Sequence, residues 1–594
     1  FIMAEITRVF DVLEKLKHEN SNPALLNRKE NKTWRSYSTA DFIDNTNLVS
    51  YALLSLGFKK GDVAAIISTN RPDWNFADYG CQQIGVVTAP IFPTISVPDL
   101  KFILNHSEAK LIFVSDKAIY SKIVAMENEL SHVKYVFSFN EIDGVKHFNE
   151  VLEMGRKNTD ENKLTAIKND IKPNDLLTIL YTSGTTGIPK GVMLSHTNLI
   201  SNVLACADFV PFERHWKSLS FLPLNHVYER MVNTIFIYQH ISIYYLENLE
   251  AIGDTAREIK PHIFVAVPRI FERVHERIMS AGEKLEGFKK KVFDWSVKLA
   301  NAYEGEGRNS FTYNLQRSIA DKLVYGKWRE AIGGNVQFLV SGGAALNARL
   351  ERVFSCAKIQ ILQGYGLTET SPVIAVNRTG KDNIRFGTVG PVIKGCEVKI
   401  AEEDGEILMK GPNKMLGYFK NPEATAEMID AEGWLHTGDV GMFVENKFLK
   451  ITDRKKEIFK TSSGKYIAPM AIENKLKECK FVENCMVVGE GQKFASALIV
   501  PSLANFKEYC TQHNINWTTN EEMLDHADLK KQITDHVKEI NKVLAPYEQL
   551  KRCELVKKEW TIDGGEITPK LSLKRKVIKE RNMDAISRIY SIED

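Results

Sequence analysis

Leu176-Leu177-Thr178-Ile179-Leu180-Tyr181-Thr182-Ser183-Gly184-Thr185-Thr186-Gly187-Ile188-Pro189-Lys190-Gly191 joins an apolar run to a loop of glycines, small hydroxyls and one lysine. Leu176–Tyr181 reads as a buried strand. The loop's N–H groups and hydroxyls suit phosphate oxygens, and Lys190 adds positive charge. It is not a Walker loop, which needs Gly-Lys-Ser/Thr in succession; Ile188 and Pro189 separate Gly187 from Lys190 here. Outward from this strand, Val63–Ser68, Lys110–Ser115, Lys134–Ser138, Ser218–Pro223 and Val336–Ser341 have the same Val/Ile/Leu/Phe density, expected of sheets covered on both faces. They alternate with helix-length amphipathic runs, which predicts an α/β architecture.

Beyond about Glu397 the strands shorten and turn signals crowd together: Asp404-Gly405, Gly411-Pro412, Glu432-Gly433 and Thr437-Gly438-Asp439. This predicts a small, mostly antiparallel β region. The charged stretch Asp453-Arg454-Lys455-Lys456-Glu457 reads as a boundary. The expected plan is a large N-terminal domain, 1–453, of α/β sheets plus that β region, followed by a small α+β C-terminal domain, 454–594. Ala471–Lys477 and Ile533–Leu544 are predicted helices of the latter, with Pro546 ending the second.

With 594 residues, 44% apolar and 26% charged, the composition is that of a multidomain globular chain. A formal net charge of +3 gives no global basicity for nucleic-acid binding. The eight cysteines form no CxxC pair or zinc-like cluster, which predicts reduced thiols and a cytoplasmic setting. Phe1–Asn20 has no signal-like apolar core, and the longest apolar stretch, Thr234–Leu246, is too short to span a bilayer. Peripheral contact with the inner face of a membrane stays open. Phe288, Val292, Trp295 and Leu299 form one stripe beside Lys289, Lys290, Lys291 and Lys298, which would suit either an interface or packing on its own domain.

Further stretches follow in order: Ser341-Gly342-Gly343-Ala344, Gln363-Gly364-Tyr365-Gly366-Leu367-Thr368-Glu369-Thr370, His436-Thr437-Gly438-Asp439 and Arg454. With the phosphate-type loop, these resemble the adenylate-forming superfamily of acyl-CoA synthetases, luciferases and peptide-synthetase adenylation domains, over nearly the whole chain. Phe221-Leu222-Pro223-Leu224-Asn225-His226-Val227-Tyr228-Glu229-Arg230, Pro268-Arg269-Ile270-Phe271-Glu272 and Asn70-Arg71-Pro72-Asp73-Trp74 resemble its long-chain fatty acid–CoA ligase branch.

The resemblance implies ATP, Mg²⁺, CoA and a fatty acid. Acyl-AMP and pyrophosphate form first; CoA then takes the acyl group and AMP leaves. It assigns ATP contacts to Thr182, Ser183, Gly184, Thr186, Gly187 and Lys190, with Thr185 catalytic. Gly342, Gly343, Ala344, Gly364, Tyr365 and Gly366 fall on the adenine side, Thr368 on phosphate, and Asp439 with Arg454 on ribose. Glu369 would hold the metal, a hard ion that prefers oxygen ligands. His226 would line the acyl side, Lys456 would be the hinge of a mobile C-terminal domain, and Gly464 would leave room for the CoA tail. Related ligases carry a lysine three residues before an arginine that corresponds to Arg575; Ser572 stands there instead. Residues 570, 572 and 574 of an extended strand share one face, so Lys570 or Lys574 would reach the same region, and Lys570, nearer Gly564-Gly565, is the candidate. A ligase for a shorter or aryl acid, an enzyme handing its acyl group to a carrier protein, and a nucleotide-binding homologue without turnover are the other readings open at this level.

Overall fold

A computed structural model of the chain describes residues 5–19, 21–183, 188–380, 382–561, 564–568 and 573–591. Residue contacts divide it into two units: residues 1–398, 408–436 and 444–449, and residues 399–407, 437–443 and 450–594.

The first unit carries two large sheets, as the alternating pattern predicts. One has seven strands in the order Gly417–Tyr418, Pro189–Ser195, Leu176–Ser183, Val87–Ile91, Val63–Ile67, Ala109–Val114, Tyr135–Ser138. Its centre is parallel, and the hairpin Leu176–Ser183/Pro189–Ser195 is antiparallel. The other has eight, in the order Val373–Val376, Gln360–Gly366, Phe338–Ser341, Ile263–Ala266, Lys217–Ser220, Ser242–Tyr245, Leu26–Glu30, Thr33–Tyr37. The fully buried strands read as continuous apolar runs because parallel strands are covered on both faces; every residue of Val63–Ile67 and Val87–Ile91 is buried.

Two helices, Pro72–Gln82 and Val227–Tyr238, are buried along nearly their whole length. The first touches strands of both sheets. A helix buried on every side must satisfy its polar groups internally. Arg230 and Asp78 do so, with Nη2 of Arg230 2.6 Å from Oδ1 of Asp78. The apolar stretch Thr234–Leu246 is the end of one helix and the strand Ser242–Tyr245. No described helix is long and apolar enough to cross a membrane.

The stripe expected on Gly287–Asn301 is split in two. Phe293, Ser296, Leu299 and Ala300 form the buried face, while Phe288 is exposed. The helix turns so that Phe293 packs against Trp328.

A four-stranded sheet, Glu397–Ile400, Glu406–Lys410, Leu435–Val444, Phe448–Arg454, forms the expected small β region. The second unit adds the three-stranded sheet Val482–Val488, Ala495–Pro501, Leu550–Leu555 and the helices Pro469–Leu476, Leu503–Gln512 and Ala527–Asn541. The last of these begins and ends earlier than the apolar spacing suggests. His526 Nδ1 accepts from Asp528 N at its start, and at its end the Asn541 amide bridges both backbone groups of Leu550, so Asn541 and not Pro546 stops it.

All eight cysteines are unpaired; six are buried and Cys396 and Cys553 half-buried. Burial pushes the thiols of Cys206, Cys396 and Cys553 up to about 12.

Candidate active site

The hairpin Leu176–Ser183/Pro189–Ser195 sets Thr182 opposite Lys190, so both ends of the phosphate-type loop meet one strand spacing apart. Gly184, Thr185, Thr186 and Gly187 lie outside the described residues. On the approach strand, the Tyr181 hydroxyl lies 2.8 Å from His106 Nδ1. Burial, reinforced by Lys420, holds that imidazole below its ordinary value.

Lys190 extends over the Tyr418 ring, its ammonium 5.2 Å from the centroid. The Tyr418 hydroxyl donates to Glu369 Oε1 at 2.8 Å. Burial, and then the Glu369 carboxylate, push the Tyr418 phenol well above its ordinary value, so it remains a donor at neutral pH. Glu369 sits in the single turn Thr368–Thr370 after the strand Gln360–Gly366. Its carbonyl accepts from Met415 N at 2.9 Å, and Asn413 Nδ2 donates to Thr370 O at 2.8 Å. The segment 413–418 thus brackets the turn, which sequence reasoning missed: Gly417-Tyr418 looks like any turn pair until the strand Gly417–Tyr418 is seen pairing with Pro189–Ser195.

Gly366 has to be glycine, because a Cβ there would fall 1.7 Å from the Pro372 carbonyl oxygen. Tyr365 is half-buried against the cluster of Leu180, Val192 and Ile374. The turn after Phe338–Ser341 is also close-packed. A Cβ on Gly342 would lie 2.9 Å from the Tyr228 ring, and Gly343 has φ +82. Gln363 braces the segment after this turn, accepting from Leu346 N at 3.1 Å and donating to Glu351 Oε2 at 3.0 Å. Burial raises the Glu351 carboxyl to about 8, so it is neutral here.

His226 caps the helix Val227–Tyr238, its Nδ1 accepting from Tyr228 N at 3.1 Å. One ring nitrogen of this acyl-side candidate is therefore structural. The preceding Leu222-Pro223-Leu224 is clamped by Asn70, which donates to Leu222 O at 2.6 Å and accepts from Leu224 N at 2.9 Å. Trp74 Nε1 donates to Asn225 Oδ1 at 3.1 Å. The two stretches that resemble the long-chain branch, 70–74 and 221–230, are in contact. Within them Glu229 is buried and takes the Ser220 hydroxyl at 2.5 Å, and burial lifts its carboxyl to about 8.

In the second unit, Arg454 Nε lies 3.5 Å from Asp439 Oδ1, which brings the two ribose-side candidates together. Lys455 bridges Asp404 at 2.6 Å and Glu406 at 2.8 Å. Lys456 is exposed in the turn closed by Glu457 N donating to Arg454 O. Gly464 turns the hairpin Phe459–Lys460/Tyr466–Ile467 with φ +79, and a Cβ there would meet nothing within 4 Å. The left-handed backbone conformation is itself a reason for glycine here. Lys570 and Ser572 lie outside the described residues. Half-buried Arg575 pairs with buried Glu473 at 2.6 Å and half-buried Glu457 at 2.9 Å, and Lys574 is exposed.

Residues 14–419 match the AMP-binding enzyme family and residues 456–594 the C-terminal domain of AMP-binding enzymes. The chain belongs to the AMP-binding enzyme family. Within it, the chain is 31% identical over 591 residues to long-chain-fatty-acid–CoA ligase FadD15 of Mycobacterium bovis, covering 97% of this chain and 96% of that one. It is 32% identical over 590 residues to the peroxisomal long chain acyl-CoA synthetase 6 of Arabidopsis thaliana, covering 94% and 81%. Among solved structures, the adenylation domain of a carboxylate reductase from Mycobacterium chelonae superposes with a TM-score of 0.75 at 19% identity, covering 98% of this chain and 91% of that one. That last likeness carries the adenylate-forming fold alone.

Proposed function

We propose that this AMP-binding enzyme is a long-chain fatty acid–CoA ligase. In the first step a carboxylate oxygen bonds to the α-phosphorus of ATP as the bond to the bridging oxygen breaks, giving acyl-AMP and pyrophosphate. In the second, the CoA sulfur bonds to the acyl carbon, the thiol proton passes to solvent and AMP departs. The observation that carries the substrate class is similarity along 97% of the chain to a relative named for long-chain fatty acids.

The chain's own contribution is positioning and charge. Lys190, Thr182, Ser183 and the loop residues Gly184, Thr185, Thr186 and Gly187 take the phosphates, with Thr368. Tyr365 faces adenine beside Gly342, Gly343 and Ala344, between Gly364 and Gly366. Asp439 and Arg454 take ribose, His226 borders the acyl group, Lys570 meets the α-phosphate and Gly464 borders the CoA tail. The boundary falls near 453, with a hinge at Lys456.

No group of three His, Cys, Asp or Glu gathers among the described residues. Glu369 fits Mg²⁺ nevertheless, because that ion needs one or two carboxylates and takes its remaining ligands from phosphates and water. When bound, it would offset the phosphate charge.

The test is CoA-dependent AMP formation from ATP with acids from acetate to oleate. A maximum among the long chains supports the reading. Pyrophosphate release without thioester would overturn CoA as the acceptor, and a maximum at short or aryl acids would overturn the substrate class.

A further inference from the structure

Four large apolar side chains lie exposed in a row. Phe311, Leu315, Ile319 and Leu323 are 84%, 58%, 47% and 52% accessible. They sit on one continuous helical run made of Phe311–Ala320, the wider turn Asp321–Tyr325 and Gly326–Ala331. Four-residue steps drift by about 40° each on a regular α-helix. The wider π turn between Ile319 and Leu323 takes back part of that drift and keeps the row straight.

The run is held firmly on its other side. Ala320, Val324, Tyr325 and Trp328 are buried in a core cluster. The Tyr313 hydroxyl donates to Leu299 O at 2.6 Å, and that of Tyr325 to Ser296 O at 2.7 Å. The apolar row is thus the outward face of an anchored helix. An apolar row of this length on a soluble surface marks an interaction site.

Charge selects the partner. Exposed Lys322 flanks the row, and exposed Lys327 continues the four-residue step beyond Leu323. At that same end, where Phe293 meets Trp328 with ring centroids 6.3 Å apart, the neighbouring helix opens with Phe288-Lys289-Lys290-Lys291. Between Lys284 and Glu330 there are ten Lys/Arg against six Asp/Glu. Apolar side chains rimmed by lysines match an anionic bilayer surface, whereas two copies of this face would set like charges against each other.

We infer that the Phe311–Leu323 row is a docking surface for an anionic lipid bilayer, with Lys322 and Lys327 at the headgroups. This deepens the fatty-acid reading, because that substrate partitions into bilayers. Docking requires neither ATP, CoA nor acid, so the two readings fail separately.

The test is co-sedimentation of the full chain with vesicles of phosphatidylcholine alone or mixed with phosphatidylglycerol. Binding is expected on the mixed vesicles, weaker on phosphatidylcholine and reduced by salt. Combined Leu315→Ser, Ile319→Ser and Leu323→Ser should lower binding by about tenfold or more. Lys322→Gln and Lys327→Gln should each lower it by about fivefold. The circular-dichroism melting curve of the triple variant should match the parent's and certify its fold. Absence of binding by the parent chain, or equal binding by the triple variant, would overturn the inference. A parent dimer that the triple variant converts to monomer in light scattering would assign the row to a second copy instead.

Discussion

Tyr418 and Glu369 share a hydrogen bond with a charged acceptor, a type worth about 1.5–3 kcal/mol. Tyr418→Phe should therefore lower the melting temperature of the first unit and reduce kcat/KM for ATP by about tenfold or more, as calorimetry and steady-state kinetics would report. Glu369→Gln should cost more, about 10²–10³ in kcat, because it removes the charge itself. At Gly366 the limitation is space. Alanine would place its Cβ against the Pro372 carbonyl, and the forced shift should destabilise the first unit by about 1–3 kcal/mol in urea titration and displace Glu369 with it. At this scale the sequence was most informative where one residue type has one use. Gly364, Tyr365, Gly366 and Glu369 stand out in a single stretch. Tyr418 did not, because its role comes from strand pairing across more than two hundred residues of chain.

Among elements, the strands of the first unit were legible because two-sided burial leaves continuous apolar runs. Helix ends were less so. The stop at Asn541 depends on a side-chain bridge to Leu550 that no local pattern announces. The same holds for Arg575, whose position relative to Lys570 is visible in the sequence but whose partners Glu473 and Glu457 come from other elements. Burial holds the Glu473 carboxyl above its ordinary value even with the guanidinium beside it. Arg575→Ala would leave that carboxyl buried and unpaired, and should destabilise the second unit by about 3–5 kcal/mol, measurable by chemical denaturation. Arg575→Lys should recover only part of this, since an ammonium cannot reproduce the fork that meets both oxygens.

At the scale of the whole molecule, buried titratable groups set a pH optimum for stability. His196 and His275 are pushed down by burial to about 3 and about 4. The unfolded chain binds those protons more readily, so their contribution is complete above about pH 6.5 and is lost as pH falls. Glu229 and Glu351 are raised to about 8. The folded state keeps their protons where the unfolded chain releases them, so their contribution is complete below about pH 4.5 and is lost as pH rises to 8. Between pH 6.5 and 8 only the carboxyl effect operates, and the melting temperature of the first unit should fall. Glu351→Gln should flatten that decline when melting is followed by calorimetry; an unchanged slope would show that Glu351 is ionised.

The burial of the cysteines has a practical consequence. A thiol held up to about 12, as in Cys206, Cys396 and Cys553, offers almost no thiolate to an alkylating dye at neutral pH. A single new cysteine at exposed Ser318, beside the apolar row, should therefore take up maleimide fluorophore far faster than any native thiol. The labelled protein would be an optical reporter on an otherwise native cysteine background, its emission shifting to the blue when the dye leaves water for an oily environment.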